Sequence, residues 1–184
     1  KANDDAYFPY KRDKEKLNRQ WAIPGTEGLR HRIGGLEKED VYGNVSHDPE
    51  NHQLMSEYRA EKVARVANYI ADQEVYGPQS GDILIVSWGG TYGVMMEAVQ
   101  EMQKAGKNIS LAHFHYINPL PKNTAEVFSR FKKIIVPELN LGQFVLYLRM
   151  HFRQFEFEQY NKIQGLPFMV KELVELFNKK LEEI

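Results

Sequence analysis

Four short stretches of this 184-residue chain carry side chains with catalytic or ligand-binding potential. Gly89-Gly90-Thr91-Tyr92-Gly93 follows an apolar run and opens an amphipathic one. Bare backbone amides at such a helix start can cradle a phosphate. The dinucleotide fingerprint, however, needs G-x-G-x-x-G and an acidic residue about 20 positions on, at the end of the next strand. Here the order is G-G-x-x-G, and the next strand ends in His113-Phe114-His115-Tyr116. A tight turn with close helix–sheet packing is the favoured reading. His113 and His115 are two apart, so in a strand they share a face, and two imidazoles can hold a metal with a third ligand. No acidic or histidine partner stands out nearby, and contact with the crevice at a strand end, where ligands and partner domains lie, is preferred. Glu138 lies past a third apolar run and ahead of a helix. It suits a catalytic base or an anchor, and equally a cap favoured by the helix dipole. No acid–base partner can be assigned to it, so a structural or interface role is preferred. Arg30-His31-Arg32 precedes Ile33-Gly34-Gly35 and suits a carboxylate or phosphate. Glu37, Glu39 and Asp40 follow at once, and local pairing is an equal reading.

These pieces do not add up to an active site. The chain has no Ser-His-Asp constellation that can be assembled, no H-E-x-x-H and no P-loop. Its cysteine count of zero excludes disulfides, a cysteine nucleophile, Cys-ligated zinc and an iron–sulfur cluster held by these residues. A net charge of −1 supplies no field for nucleic acid or anionic lipid. No apolar run approaches the ~20 residues of a membrane span. No catalytic, cofactor-binding or metal-binding residue is therefore assigned. The chain opens Lys-Ala-Asn-Asp-Asp, with neither Met nor the apolar core of a signal peptide, and reads as a fragment of something longer.

The elements that must position these residues fall in two textures. Nineteen of the first 53 residues are charged, against 30 of the remaining 131. Residues 1–47 are rich in turn residues and lack an apolar period, and so are expected to be a connector. Tyr7, Phe8, Tyr10 and Trp21 argue against a disordered arm, with Trp21, Ile23, Ile33 and Leu36 as the expected apolar anchors. Asp48-Pro49-Glu50 is a helix start, and a linking helix is predicted over 48–71 with Val63, Val66, Ala67 and Ile70 as its buried stripe. From residue 82 to 184 strands alternate with helices. Strands are predicted near 83–87, 109–115 and 133–137, and a fourth at 161–164. Helices follow Gly93, Asn123 and Asn140, the latter two with capping-box spacing to Glu126 and Gln143, and a last amphipathic helix covers 168–184. Gly106 is expected to end its helix in the left-handed conformation. The pattern is that of a three-layer α/β/α, Rossmann-like domain with a mostly parallel sheet.

Several long stretches, in order, carry a more specific signal. They are Trp21-Ala22-Ile23-Pro24-Gly25-Thr26-Glu27-Gly28, His31-Arg32-Ile33-Gly34-Gly35-Leu36-Glu37, and Gly43-Asn44-Val45-Ser46-His47-Asp48-Pro49-Glu50-Asn51-His52. Further on come Trp88–Gly93, Asn118-Pro119-Leu120-Pro121, Val136–Gln143 and Lys162–Phe168. Together they resemble the alpha subunit of 2-oxoacid:ferredoxin oxidoreductases, most closely the 2-oxoglutarate branch, over about residues 7–168. The resemblance implies the C-terminal domain of that subunit, similar to the transketolase C-terminal domain, with one strand of the sheet antiparallel. It makes residues 1–47 the tail of a thiamine (pyrimidine-binding) domain that is missing here, and 48–184 the C-terminal α/β domain. It implies a cytoplasmic enzyme that oxidatively decarboxylates 2-oxoglutarate to succinyl-CoA and reduces ferredoxin. Thiamine diphosphate, Mg and iron–sulfur clusters are expected in the full enzyme and none on this part. The implied partners are the beta subunit, the N-terminal part of the alpha subunit and, indirectly, ferredoxin, with a homodimer open and neither nucleic acid nor membrane expected. This part would serve assembly and be inactive alone. The alternative is a free-standing nucleotide- or acyl-binding α/β domain using the Gly89–Gly93 turn.

Overall fold

Ile83, Leu84, Ile85 and Val86 offer water no polar side chain, and all four are fully buried at the centre of a four-stranded sheet. The computed structural model describes residues 6–184, which divide after Tyr69 into two compact units.

The second unit holds β1 (Gly81–Trp88), α2 (Tyr92–Lys104), β2 (Ile109–Phe114), α3 (Thr124–Ser129), β3 (Phe131–Glu138), α4 (Gln143–His151), β4 (Phe157–Asn161) and α5 (Val170–Glu182). The helix of the first unit is α1 (Pro49–Arg65). The strand order is β2-β1-β3-β4, and every neighbouring pair is parallel. Side chains alternate across a strand, so Ile83 and Ile85 meet one helical layer while Leu84 and Val86 meet the other. The first layer is α2 and α5, with Met95, Ala98, Val99, Met102, Leu173 and Phe177 buried. The second is α3 and α4, with Val127, Phe128, Phe144, Val145 and Leu148 buried. This is the expected three-layer fold. Gly106 ends α2 at φ +76°, as expected.

Two expectations for the sheet need correction. No strand runs antiparallel: each strand-to-strand connection passes through a helix that returns the chain to the same edge direction. The antiparallel contact in this unit is a single bridge, Tyr76 to Leu111, along the β2 edge. The fourth strand is Phe157–Asn161 rather than 161–164, because Phe157 is the residue that plugs into the core beside Phe128. Substituting Ala for Ile85 or Ile135, which are 0% and 1% exposed, is expected to cost about 2–5 kcal/mol each in urea unfolding. Losses under about 1 kcal/mol would show that these runs are not central.

In the first unit α1 starts as its sequence dictates. Asp48 caps it by accepting from the Glu50 amide at 2.9 Å, and Pro49 occupies the first turn. The α-helix ends at Arg65 and one 3-10 turn follows over Val66–Asn68, short of the expected 71. The expected stripe is not its buried face. Val63 and Val66 are exposed, and Met55 is buried with Leu17 of the arm. Nor are the expected anchors buried: Trp21 is 86% exposed, and Ile23, Ile33 and Leu36 are also exposed. The arm is held instead by polar links from α1. Asn51 donates to the Lys38 carbonyl and accepts from the Asp40 amide, and Arg59 and His52 converge on Glu37. Arg65 donates to the carbonyls of Lys14 and Glu15. These links join α1 to the arm, and the two compact units divide at 69/70.

Candidate functional site

In a parallel sheet, groups with chemical potential collect at the carboxyl ends of the strands, above all where the strand order reverses. Here that switch point lies between β1 and β3. β3 delivers Glu138 to it, 1% exposed. One carboxylate oxygen accepts from the Phe144 amide at 2.9 Å, the Asn140 side-chain amide at 3.1 Å and the Trp88 indole at 3.2 Å; the other accepts from the Val145 amide at 3.0 Å. The Phe144 and Val145 amides belong to the first turn of α4, whose donors have no partner within the helix. Asn140 completes the cap by accepting from the Gly142 and Gln143 amides at 2.7 and 2.9 Å. Glu138 thus ties β1, β3 and α4 together. With three donors on one oxygen and one on the other, the carboxylate acts as an anchor and a cap.

Asn123, by contrast, does not cap α3. Its side chain accepts from the Gln73 amide and donates to the Gln73 carbonyl, fastening the segment that leads into β1.

β2 delivers His113, which is paired in register with Ser87 of β1. Ser87 Oγ and His113 Nδ1 are hydrogen-bonded at 2.7 Å, and both residues are buried. His115 lies just beyond the strand, exposed, with its ring 5.1 Å from that of His113. A cavity of about 190 Å³ opens beside them, lined by Asp72, Glu74, Tyr76, His113, His115 and Tyr116 among others. The expected shared face is present, but among the described residues no three His, Asp or Glu side chains converge as a metal would need. Ser87 was not singled out in the sequence, because its role depends on a register no local pattern encodes.

Burial pushes the His113 imidazole below its ordinary 6.5, and the neighbouring His115 adds to this. The sign of the consequence follows from linkage. As pH falls through 6.5 the unfolded chain binds this proton first, so stability falls until the folded imidazole also charges. A urea midpoint lower at pH 5 than at pH 7.5 is expected, with His113→Gln flattening that part of the profile. An unchanged slope would separate the loss from this residue.

Gly89–Thr91 forms one 3-10 turn, and α2 begins at Tyr92. Gly89 has φ +60°, which explains one glycine. A Cβ at Gly89, Gly90 or Gly93 would meet nothing within 4 Å, so close helix–sheet packing is not what these glycines serve. In the first unit, neither Arg30 nor Arg32 pairs with Glu37, Glu39 or Asp40. Glu37 is taken by Arg59 and His52 and held at about 2, first by its Arg59 hydrogen bonds. Asp40 is taken by Arg12. His31 contacts the Leu29 carbonyl at 2.9 Å and the edge of Tyr7.

The donor chemistry of the described residues does not fit an iron–sulfur cluster or the metal site of a thiamine centre. There is no cysteine for an iron–sulfur cluster. The buried carboxylate at the switch point, Glu138, already accepts four hydrogen bonds, and no acidic cluster for a pyrophosphate-bound cation is assembled among the described residues.

No family model matches the chain. It is 39% identical over 170 residues to 2-oxoglutarate oxidoreductase subunit KorA of Mycobacterium tuberculosis, covering 92% of this chain and 26% of that protein. It is 34% identical over 152 residues to 2-oxoacid:ferredoxin oxidoreductase 1, subunit alpha, of Aeropyrum pernix, covering 76% of this chain and 23% of that one. The structure superposes with a TM-score of 0.86 and 28% identity on the 2-oxoglutarate:ferredoxin oxidoreductase from Magnetococcus marinus, solved with 2-oxoglutarate, coenzyme A and succinyl-CoA bound. That match covers 97% of this chain and 31% of the other. The chain spans about a quarter of the length of the curated relatives it matches.

Proposed function

The chain is homologous to a stretch of the alpha subunits of 2-oxoacid:ferredoxin oxidoreductases, and from that relationship we propose that it is the C-terminal part of the alpha subunit of a thiamine diphosphate-dependent 2-oxoglutarate:ferredoxin oxidoreductase. The enzyme converts 2-oxoglutarate and coenzyme A to succinyl-CoA and carbon dioxide, and passes two electrons to ferredoxin. The observation that carries this reading is the 39% identity to a 2-oxoglutarate oxidoreductase subunit across 92% of the chain. It is supported by the superposition on an enzyme solved with 2-oxoglutarate and succinyl-CoA.

Thiamine diphosphate supplies the decarboxylation chemistry when bound, and it is held with Mg by parts of the enzyme outside this chain. Iron–sulfur clusters held outside these residues carry the electrons, since these residues have no thiolate to offer. The role of this chain is assembly. Residues 1–47 are the connector and tail of the thiamine domain, residues 48–184 are the C-terminal α/β domain with its linking helix at 48–71, and the beta subunit is the partner chain. The location is the cytoplasm. Among the described residues no helix is long and apolar enough to cross a membrane.

Activity of the full-length alpha subunit co-expressed with its beta subunit tests the reading. Reduction of a viologen dye that requires both 2-oxoglutarate and coenzyme A is expected, with pyruvate a poorer substrate and the 184-residue chain alone inactive. Equal or faster turnover with pyruvate would overturn the substrate, and no turnover with any 2-oxoacid would overturn the reading itself.

A further inference from the structure

The two ends of the sheet differ in charge. The strand-to-helix connections 89–91, 115–123, 139–142 and 162–169 all leave the carboxyl ends of the parallel strands. Their 24 residues include two charged side chains, Lys122 and Lys162, and Lys162 is bridged to Glu172 at 2.9 Å. The helix-to-strand connections at the opposite end, 105–108, 130 and 152–156, carry four in ten: Lys107, Arg130, Arg153 and Glu156. The chain as a whole is 27% charged.

Apolar side chains take the place of the missing charges. Six of the 19 large hydrophobic residues exposed among the described residues lie on these 24, including Tyr116, Leu139, Leu141, Ile163 and Leu166. Leu141 is 76% exposed. The order β2-β1-β3-β4 sets the four loops side by side, a span of about 15 Å at the usual strand spacing. Between Tyr116 and Leu141 the floor is Gly89-Gly90, above which there is open space. Asp72 and Glu74 lie outside the β2 edge as a polar margin. An apolar, charge-depleted centre with a polar margin is the anatomy of a protein interface.

We propose that this strand-end face is a permanent docking surface for the portion of the alpha subunit that lies outside these 184 residues; the inference rests on the functional reading above. Two arguments select that occupant. A partner that comes and goes is steered by complementary charge, and this face has almost none to offer. The relatives' chains are about three to four times as long as the matched stretch, and a covalently attached neighbour meets the face at high effective concentration without the entropic cost of a second molecule. The face also accounts for Trp88–Gly93, Asn118–Pro121, Val136–Gln143 and Lys162–Phe168. These stretches, far apart in sequence, converge on one end of one sheet.

The test is photo-crosslinking in the purified full-length subunit with its beta partner, with Leu141 or Leu166 replaced by photoreactive benzoylphenylalanine and Lys107 at the opposite end replaced likewise. Both replaced leucines are exposed, so folding tolerates them. Links from Leu141 and Leu166 to peptides of the same alpha subunit outside the 184 residues, with none from Lys107 to those peptides, are expected. Links to a second copy of this unit, links to the beta subunit, or a label consumed by solvent would each overturn the proposal. The map is read whether or not the preparation turns over 2-oxoglutarate. An active enzyme with free leucines sinks this inference alone, and an inactive one with the expected links sinks the substrate reading alone.

Discussion

Glu138→Ala is expected to lower the unfolding free energy by about 3–5 kcal/mol, chiefly through the hydrogen-bond donors it leaves behind. The carboxylate is the acceptor for four donors, two of them amides in the first turn of α4. Each buried donor left without a partner costs about 1–3 kcal/mol, and part of that is recovered where water can reach. Loss of the negative charge also removes its favourable interaction with the α4 dipole. Glu138→Gln should fall between wild type and Ala. Its amide oxygen still accepts, but its nitrogen faces a second donor. Tryptophan emission gives a local reading beside the urea midpoint, because the Trp88 indole loses its acceptor while Trp21, exposed in the other unit, is indifferent. A catalytic base behaves differently: its removal leaves stability intact. A Glu138→Ala protein within about 0.5 kcal/mol of wild type would therefore return Glu138 to the list of chemical candidates.

The parts of the fold that were legible in the sequence are those whose causes are local. Ile83–Val86 had to be a strand buried on both faces, because no polar position breaks the run. Met95, Ala98, Val99 and Met102 had to be one helix face, and they are. Asp48-Pro49 had to start a helix. The misreadings are tertiary. Trp21, Ile23, Ile33 and Leu36 look like anchors by type, but all four stay exposed, and the arm is held by Asn51, Arg59 and Arg65 through backbone carbonyls and carboxylates that no periodicity reveals. Asn123 and Asn140 have the same capping spacing. One caps and the other fastens Gln73, fifty residues away. The charge-poor rim had the same limit. Each loop alone is an ordinary turn, and the asymmetry shows only once the strand order sets the four together.

The largest apolar effect is expected at Phe128. Its α3 has six residues, too few to hold a helix in water without tertiary packing. What fixes it is one fully buried ring. Phe128 meets Phe157 at 5.3 Å, Phe152 at 5.4 Å, Phe155 at 5.8 Å and Phe114 at 6.1 Å between centroids, three of them edge-on. Edge-to-face pairs add about 0.5–1.5 kcal/mol beyond area burial, but one truncation cannot collect all of them because the remaining rings shift toward the void. Phe128→Ala is therefore expected to cost about 3–5 kcal/mol, the range for a buried ring and its residual cavity. Phe128→Leu should recover part of the loss. The damage should also have a direction. β4 is an edge strand paired on one side only, and Phe157 is its buried residue. Hydrogen exchange in Phe157–Asn161 should then accelerate well beyond that in Ile109–Phe114, where Phe114 meets the ring at the longest of the four separations and Ile109 and Leu111 face the other helical layer. β4 leads directly into 162–169, one of the four loops of the apolar rim. A Phe128→Ala subunit should accordingly lose photo-crosslinking from position 166 before position 141. Equal acceleration of β2 and β4 would mean that the ring stabilises the unit as a whole and has no special hold on its edge.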